Sequence, residues 1–129
     1  MTEFFPPLSG KDQDETDELR PKFDADGLIA AVSQDADTGE VLMLAWMNDK
    51  ALQQSIETGL ATYWSRSRQK LWVKGETSDS LQRIVEIRVD CDQDAVVMKV
   101  RKDGPACHTG REACFYRTIN PDGRTLSKS

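Results

Sequence analysis

The chain has 129 residues, of which 38% are hydrophobic and 30% charged, with a formal net charge of -5. That length supports one domain with its own core and leaves no room for a second catalytic domain. No apolar run approaches the roughly 20 residues that span a bilayer, and the acidic balance repels a phosphate backbone at long range, so neither a membrane nor a nucleic-acid partner is expected.

The opening M-T-E-F-F-P-P-L-S-G-K-D lacks the basic segment and apolar stretch of a secretory signal. The expected location is cytoplasmic, where thiols stay free for metals or catalysis. Residues 1–22 are rich in Pro, Asp, Glu and Lys and read as an acidic arm, either mobile or a loosely packed turn of helix. Residues 23–129 form the expected domain. From Gly27 onward, L-I-A-A-V-S and V-L-M-L-A-W-M, joined by A-D-T-G-E, predict a hairpin whose two strands are both apolar enough to be central. Asn48 caps a predicted helix over 49–58 with Leu52 and Ile56 on one face, and Gly59 stops it. The segments A-T-Y-W-S-R-S-R, L-W-V-K-G-E, R-I-V-E-I-R-V-D and A-V-V-M-K-V-R then predict strands. The expected fold class is α+β, a mainly antiparallel sheet with one or two short helices.

The chemistry-bearing residues gather late in the chain. Cys91, Cys107 and Cys114 are its only cysteines, its only histidine is His108, and Asp90, Asp92 and Asp94 alternate around Cys91. Thiolates and imidazole suit zinc, and clustered carboxylates suit a hard ion such as magnesium. On a strand, Asp90 and Asp92 share a side while Cys91 faces away. Asp90 and Asp94 on a straight strand would stand roughly 13 Å apart, so a shared ion requires a bend, for which D-Q-D supplies a turn. Solvated turn residues are the plainer reading of these acids. Ala95 and Arg101 occupy the positions where an EF-hand needs glycine and glutamate.

No C-x-x-C pair is present, which disfavours a zinc knuckle. Three thiolates would leave a tetrahedral zinc one position for water, which loses its proton near neutral pH; the alternative is three inert, buried cysteines. His108 is a fourth ligand or a proton carrier, and spacing does not choose. The stretch Y-W-S-R-S-R-Q-K-L-W-V-K-G-E-T-S gathers Arg66, Arg68, Lys70 and Lys74 around Trp64 and Trp72, with hydroxyls at Ser65, Thr77 and Ser78. It reads either as a phosphate anchor or as a strand pair with a basic wet face.

Four ordered motifs, V-L-M-L-A-W-M-N, Y-W-S-R-S-R-Q-K-L-W-V-K-G-E-T-S, V-D-C-D-Q-D-A-V and G-P-A-C-H-T-G-R-E-A-C-F-Y-R, resemble the phosphoribosyl-AMP cyclohydrolase family over about residues 28–117. The resemblance implies a zinc- and magnesium-dependent hydrolase of histidine biosynthesis, which opens the adenine ring of phosphoribosyl-AMP between the alkylated ring nitrogen and the amine-bearing carbon. It further implies zinc on Cys91, Cys107 and Cys114, magnesium on Asp90, Asp92 and Asp94, and an obligate homodimer in which the Cys91 ligand comes from the other subunit. Catalytic proton transfer then falls to His108, and substrate binding to Arg66, Arg68, Trp72, Lys74, Thr77 and Ser78. The chain departs from the family where Asp79 and Ser80 replace glycine and then asparagine or histidine, and where Ala113 replaces serine. Two other readings use the same residues. A zinc nucleoside deaminase would release ammonia, although the H-x-E and P-C-x-x-C pieces are missing; a non-catalytic dimer module, stapled by zinc, would bind nucleotides unchanged.

Overall fold

The computed structural model describes residues 3–129. Strand β1 (Ile29–Asp35) buries alternate residues, Ile29, Ala31 and Ser33, and pairs antiparallel with β2 (Val41–Met47). Their turn is built by Asp35, whose carboxylate accepts the N–H groups of Asp37 and Thr38 at 2.8 and 3.1 Å, before Gly39 at φ 80° returns the chain. Those two backbone donors hold Asp35 below the usual carboxylate range.

Helix α2 (Asp49–Thr58) starts where the Asn48 side chain accepts Ala51 N–H and ends at Gly59 in the left-handed region, φ 73°. Its buried side is Ala51, Leu52 and Ser55, whereas Ile56 is half exposed. Strands β3 (Thr62–Ser65) and β4 (Lys70–Val73) form a separate hairpin, and β5 (Gln82–Val89) pairs antiparallel with β6 (Ala95–Lys102).

The two longer hairpins join through their inner strands, giving the order β2-β1-β6-β5 with β1 and β6 parallel. The sheet is therefore mainly antiparallel with a parallel seam at its centre. Of the two strands expected to be central, only β1 is; β2 lies at the edge. It is not left bare, because the Leu42 carbonyl accepts Cys114 N–H at 2.7 Å, so the last cysteine is pinned along that edge. Ile29, Leu42, Met47, Leu52, Tyr63, Met98 and Val100 are fully buried. The Tyr63 hydroxyl donates to the Gln82 side-chain carbonyl at 3.0 Å, so its burial leaves no unsatisfied donor. A short exposed ribbon, β7 (Arg117–Ile119) and β8 (Leu126–Lys128), closes the chain.

Of the two readings of the N-terminal segment, a mobile arm or a loosely packed turn of helix, the structure shows the turn of helix, with one side chain packed more tightly than its composition suggests. The segment contains a single helical turn, α1 (Lys11–Glu15), and Gln13 within it is only 4% exposed. Among the described residues, no helix is long and apolar enough to cross a membrane.

Candidate active site

Between β5 and β6 the chain turns tightly over residues 90–94. Asp90 Oδ1 accepts the N–H groups of Asp94 and Ala95 at 2.9 and 3.2 Å, and Gln93 takes a left-handed φ of 61°. This supplies the bend that a shared ion requires. One ligand oxygen from each of Asp90, Asp92 and Asp94 lies within 4.8 Å of the others. Like charges at that spacing repel by about 1 kcal/mol per pair even at the dielectric of water. Asp94 responds by holding a proton up to about pH 6, chiefly through its hydrogen bond to Asp90 and then to Asp92. Burial works against ionisation of Asp90, yet the bonds from Asp94 and the backbone N–H groups keep it below the ordinary carboxylate range. An acidic cluster of this shape can hold a metal ion, and hard oxygen donors of this spacing fit a divalent cation.

The thiols form a second group. Cys107 is buried at the start of a tight turn in which its carbonyl accepts Gly110 N–H at 3.0 Å, and the Thr109 hydroxyl donates to its sulfur at 3.1 Å. That hydroxyl, followed by the Thr109 N–H, holds the Cys107 thiol below its ordinary value, and Cys114 adds a further hydrogen bond. Burial and then the neighbouring Cys107 push Cys114 up. A thiol pair of which one member ionises readily is suitable chemistry for a soft cation. Cys91 is exposed on the carboxylate turn. Among the described residues the three aspartates are the only such group of three potential ligands, so neither Cys91 nor His108 meets the Cys107–Cys114 pair within one chain.

The basic stretch lines an open cavity of about 660 Å³ between β2 and the β3–β4 hairpin. Arg66, Arg68 and Trp72 border it, together with Trp46 and Trp64. The Arg66 guanidinium stands 4.9 Å from the Trp46 ring and the Lys74 ammonium 6.0 Å from the Trp72 ring, so the cations lie against aromatic faces. Trp46 also borders a smaller cavity shared with Asp94. It therefore stands between the arginines and the carboxylate turn. Trp46 belongs to the strand and motif V-L-M-L-A-W-M-N but is not among the site residues expected from the sequence; its indole among the apolar residues of β2 is the available signal. Thr77 and Ser78 are exposed and do not border the cavity.

Comparison with known proteins adds a separate observation. The family model described as phosphoribosyl-AMP cyclohydrolase matches residues 43–116. A protein of that description from Hyphomonas neptunium is 70% identical over 127 residues, covering 98% of this chain and 95% of the relative. The chain belongs to the phosphoribosyl-AMP cyclohydrolase family. Relatives of the same description from Caulobacter sp. strain K31 and Brucella anthropi are each 56% identical, covering 91% and 96% of this chain and 90% and 91% of their own lengths. The matched stretch includes Trp46, the basic cavity, the carboxylate turn and the thiol pair.

The resemblance leads to an expectation of glycine at Asp79, and the backbone there suits glycine. Asp79 is held at φ 59°, a region costly to a residue with a Cβ and free to glycine. Asp79→Gly is expected to stabilise the protein by about 0.5 kcal/mol, because relief of the backbone cost exceeds the added freedom of the unfolded glycine. A higher urea midpoint at unchanged slope would bear this out, and a lower midpoint would count against it. Ala113, the other departure, is 5% exposed within the core cluster, where alanine leaves no hydroxyl to satisfy.

Proposed function

We propose that the chain hydrolyses phosphoribosyl-AMP, opening the adenine ring between the alkylated ring nitrogen and the amine-bearing carbon, as a cytoplasmic homodimer in histidine biosynthesis. The observation that carries this reading is the incomplete thiol pair: in a chain of this family, Cys107 and Cys114 lie together while Cys91 is exposed on a different turn. In the dimer, Cys91 of the partner subunit would complete a zinc site with Cys107 and Cys114. Asp90, Asp92 and Asp94 would hold magnesium. A zinc ion held by such ligands acidifies water toward neutral pH.

The chain's own residues supply binding and proton transfer. Arg66, Arg68 and Lys74 hold phosphate oxygens, while Thr77 and Ser78, on the exposed loop beyond β4 and outside the cavity, add hydroxyls only to a part of the substrate that extends past it. Trp46, Trp64 and Trp72 offer flat faces for the base. Water adds to the amine-bearing carbon and yields a proton that His108 would carry to the alkylated ring nitrogen, and the bond from that carbon to the protonated nitrogen breaks to leave a carboxamide.

An absorbance assay on phosphoribosyl-AMP, run before and after zinc removal and after its restoration, tests the reading. The expected result is a change in the adenine band that disappears on chelation and returns with zinc. Ammonia release would instead identify a deaminase, and binding without spectral change a non-catalytic module. His108→Ala is expected to lower turnover by roughly 100-fold or more and to alter its pH profile; unchanged turnover at every pH would remove His108 from the mechanism.

A further inference from the structure

The acidic N-terminal segment is joined to the carboxylate turn by two glutamines facing opposite ways. Gln13, on α1, accepts Leu8 N–H at 2.9 Å and donates its side-chain amide to the carbonyls of Arg20 at 2.8 Å and Asp92 at 3.0 Å. Gln93, on the turn, accepts Arg20 N–H at 2.7 Å and donates to the Glu18 carbonyl at 3.2 Å, while its own carbonyl accepts Lys22 N–H at 2.7 Å. Gln13 and Gln93 are 4% and 5% exposed. Buried amides with both ends satisfied fix geometry, since breaking either end leaves an unpaired polar group.

These bonds grip the backbone of Asp92 and Gln93 from outside the turn, while Asp90 Oδ1 grips Asp94 and Ala95 from inside it. Three mutually repelling carboxylates on a short connection favour an open, splayed turn; a clasp from a distant part of the chain opposes that splaying and presents the oxygens already gathered. We infer that the N-terminal segment is a built-in brace for the carboxylate turn, with Gln13 as a positioning residue that raises the turn's affinity for a divalent cation. This rests on reading Asp90, Asp92 and Asp94 as a cation site. Hydrogen bonds that hold a ligand-bearing backbone from behind set the orientation of its ligands, and losing them costs roughly 10-fold or more in metal affinity.

The test uses the full-length zinc-loaded protein and manganese, whose binding is read by electron paramagnetic resonance. Gln13→Met keeps the side-chain volume and removes every polar bond. Its manganese dissociation constant is expected to rise roughly 10-fold, its Lys22 amide to exchange hydrogen faster, and its turnover to recover at saturating divalent cation. Wild type and variant binding manganese equally, with Lys22 exchange accelerated, would overturn the brace while leaving the cation site standing. No saturable binding to the wild type would overturn the cation site itself, and the brace with it. If the methionine variant melts early, Gln13→Glu provides the second measurement: it retains the acceptor for Leu8 and lacks the donor to Asp92, and the same rise in dissociation constant is expected.

Discussion

Cys91→Ala and Cys107→Ala, each inactive alone, are expected to recover roughly one quarter of wild-type activity when mixed in equal amounts and allowed to exchange subunits with zinc present. The fraction follows from two-fold symmetry. Random exchange makes half of the dimers mixed, and each mixed dimer assembles one complete site from the unaltered Cys91 of one subunit and the unaltered Cys107 of the other. The second site of that dimer carries both lesions. The expectation arises because Cys107 and Cys114 influence one another directly while Cys91 sits exposed on the turn that follows β5. Absence of recovery, with exchange demonstrated by mass spectrometry, would mean that each chain builds its site alone.

Gly75→Ala is expected to destabilise the protein on the order of 3 kcal/mol and to raise the KM for substrate. Gly75 sits at φ 82°, and a Cβ there would overlap the carbonyl group of Ser80 and the nitrogen of Leu81. The obstacle is backbone, which cannot swing aside as a side chain would. Nor is that backbone free to retreat, since the Leu81 carbonyl accepts Asp103 N–H at 2.9 Å and the Ser80 hydroxyl packs against Gly104. Lys74, Thr77 and Ser78 ride on the loop that would have to move. Gly39→Ala provides the control. Gly39 shares the left-handed conformation, φ 80°, but a Cβ there meets nothing within 4 Å, so only the backbone cost of about 1 kcal/mol applies. Equal losses for the two variants, measured by urea denaturation, would sink the steric argument.

The local features of this fold are legible in its sequence because local chemistry builds them. Asn48 and Gly59 mark both ends of α2 by the donors and the backbone freedom that they supply. The β1–β2 turn is written in A-D-T-G-E, where Gly39 returns the chain, although the part played by Asp35 just before it shows only in the structure. What is not legible depends on distant partners. Nothing in L-I-A-A-V-S specifies that Ala30 pairs with Ala95 in a parallel register, and apolar content alone placed β2 at the centre when it lies at the edge. The N-terminal segment reads as mobile or as a loosely packed turn of helix because glutamine, aspartate and lysine are usually solvated; its anchoring depends on two amides whose partners lie up to 79 positions away. For the site, alternation along a strand does not apply at Cys91, because β5 ends at Val89 and residues 90–94 form a turn; the length of a straight strand does show that Asp90, Asp92 and Asp94 can gather only where the chain bends, as it does there. The thiol pair is brought together by the local turn at Gly110, whereas the anchoring of Cys114 on Leu42 and the place of Trp46 beside both the arginines and Asp94 are products of folding at long range.

The parallel seam between β1 and β6 has a consequence for synthesis. At about 5–20 residues per second, the ribosome reaches Ala95 several seconds after Ala30, its partner in the sheet. During that interval the first hairpin has one flank already covered by β2 and the other still bare, displaying unpaired amides alongside Ile29 and Ala31. A nascent chain in that state can recruit any passing strand. Completion of the β5–β6 hairpin ends that exposure, and the connection that closes it carries the three carboxylates.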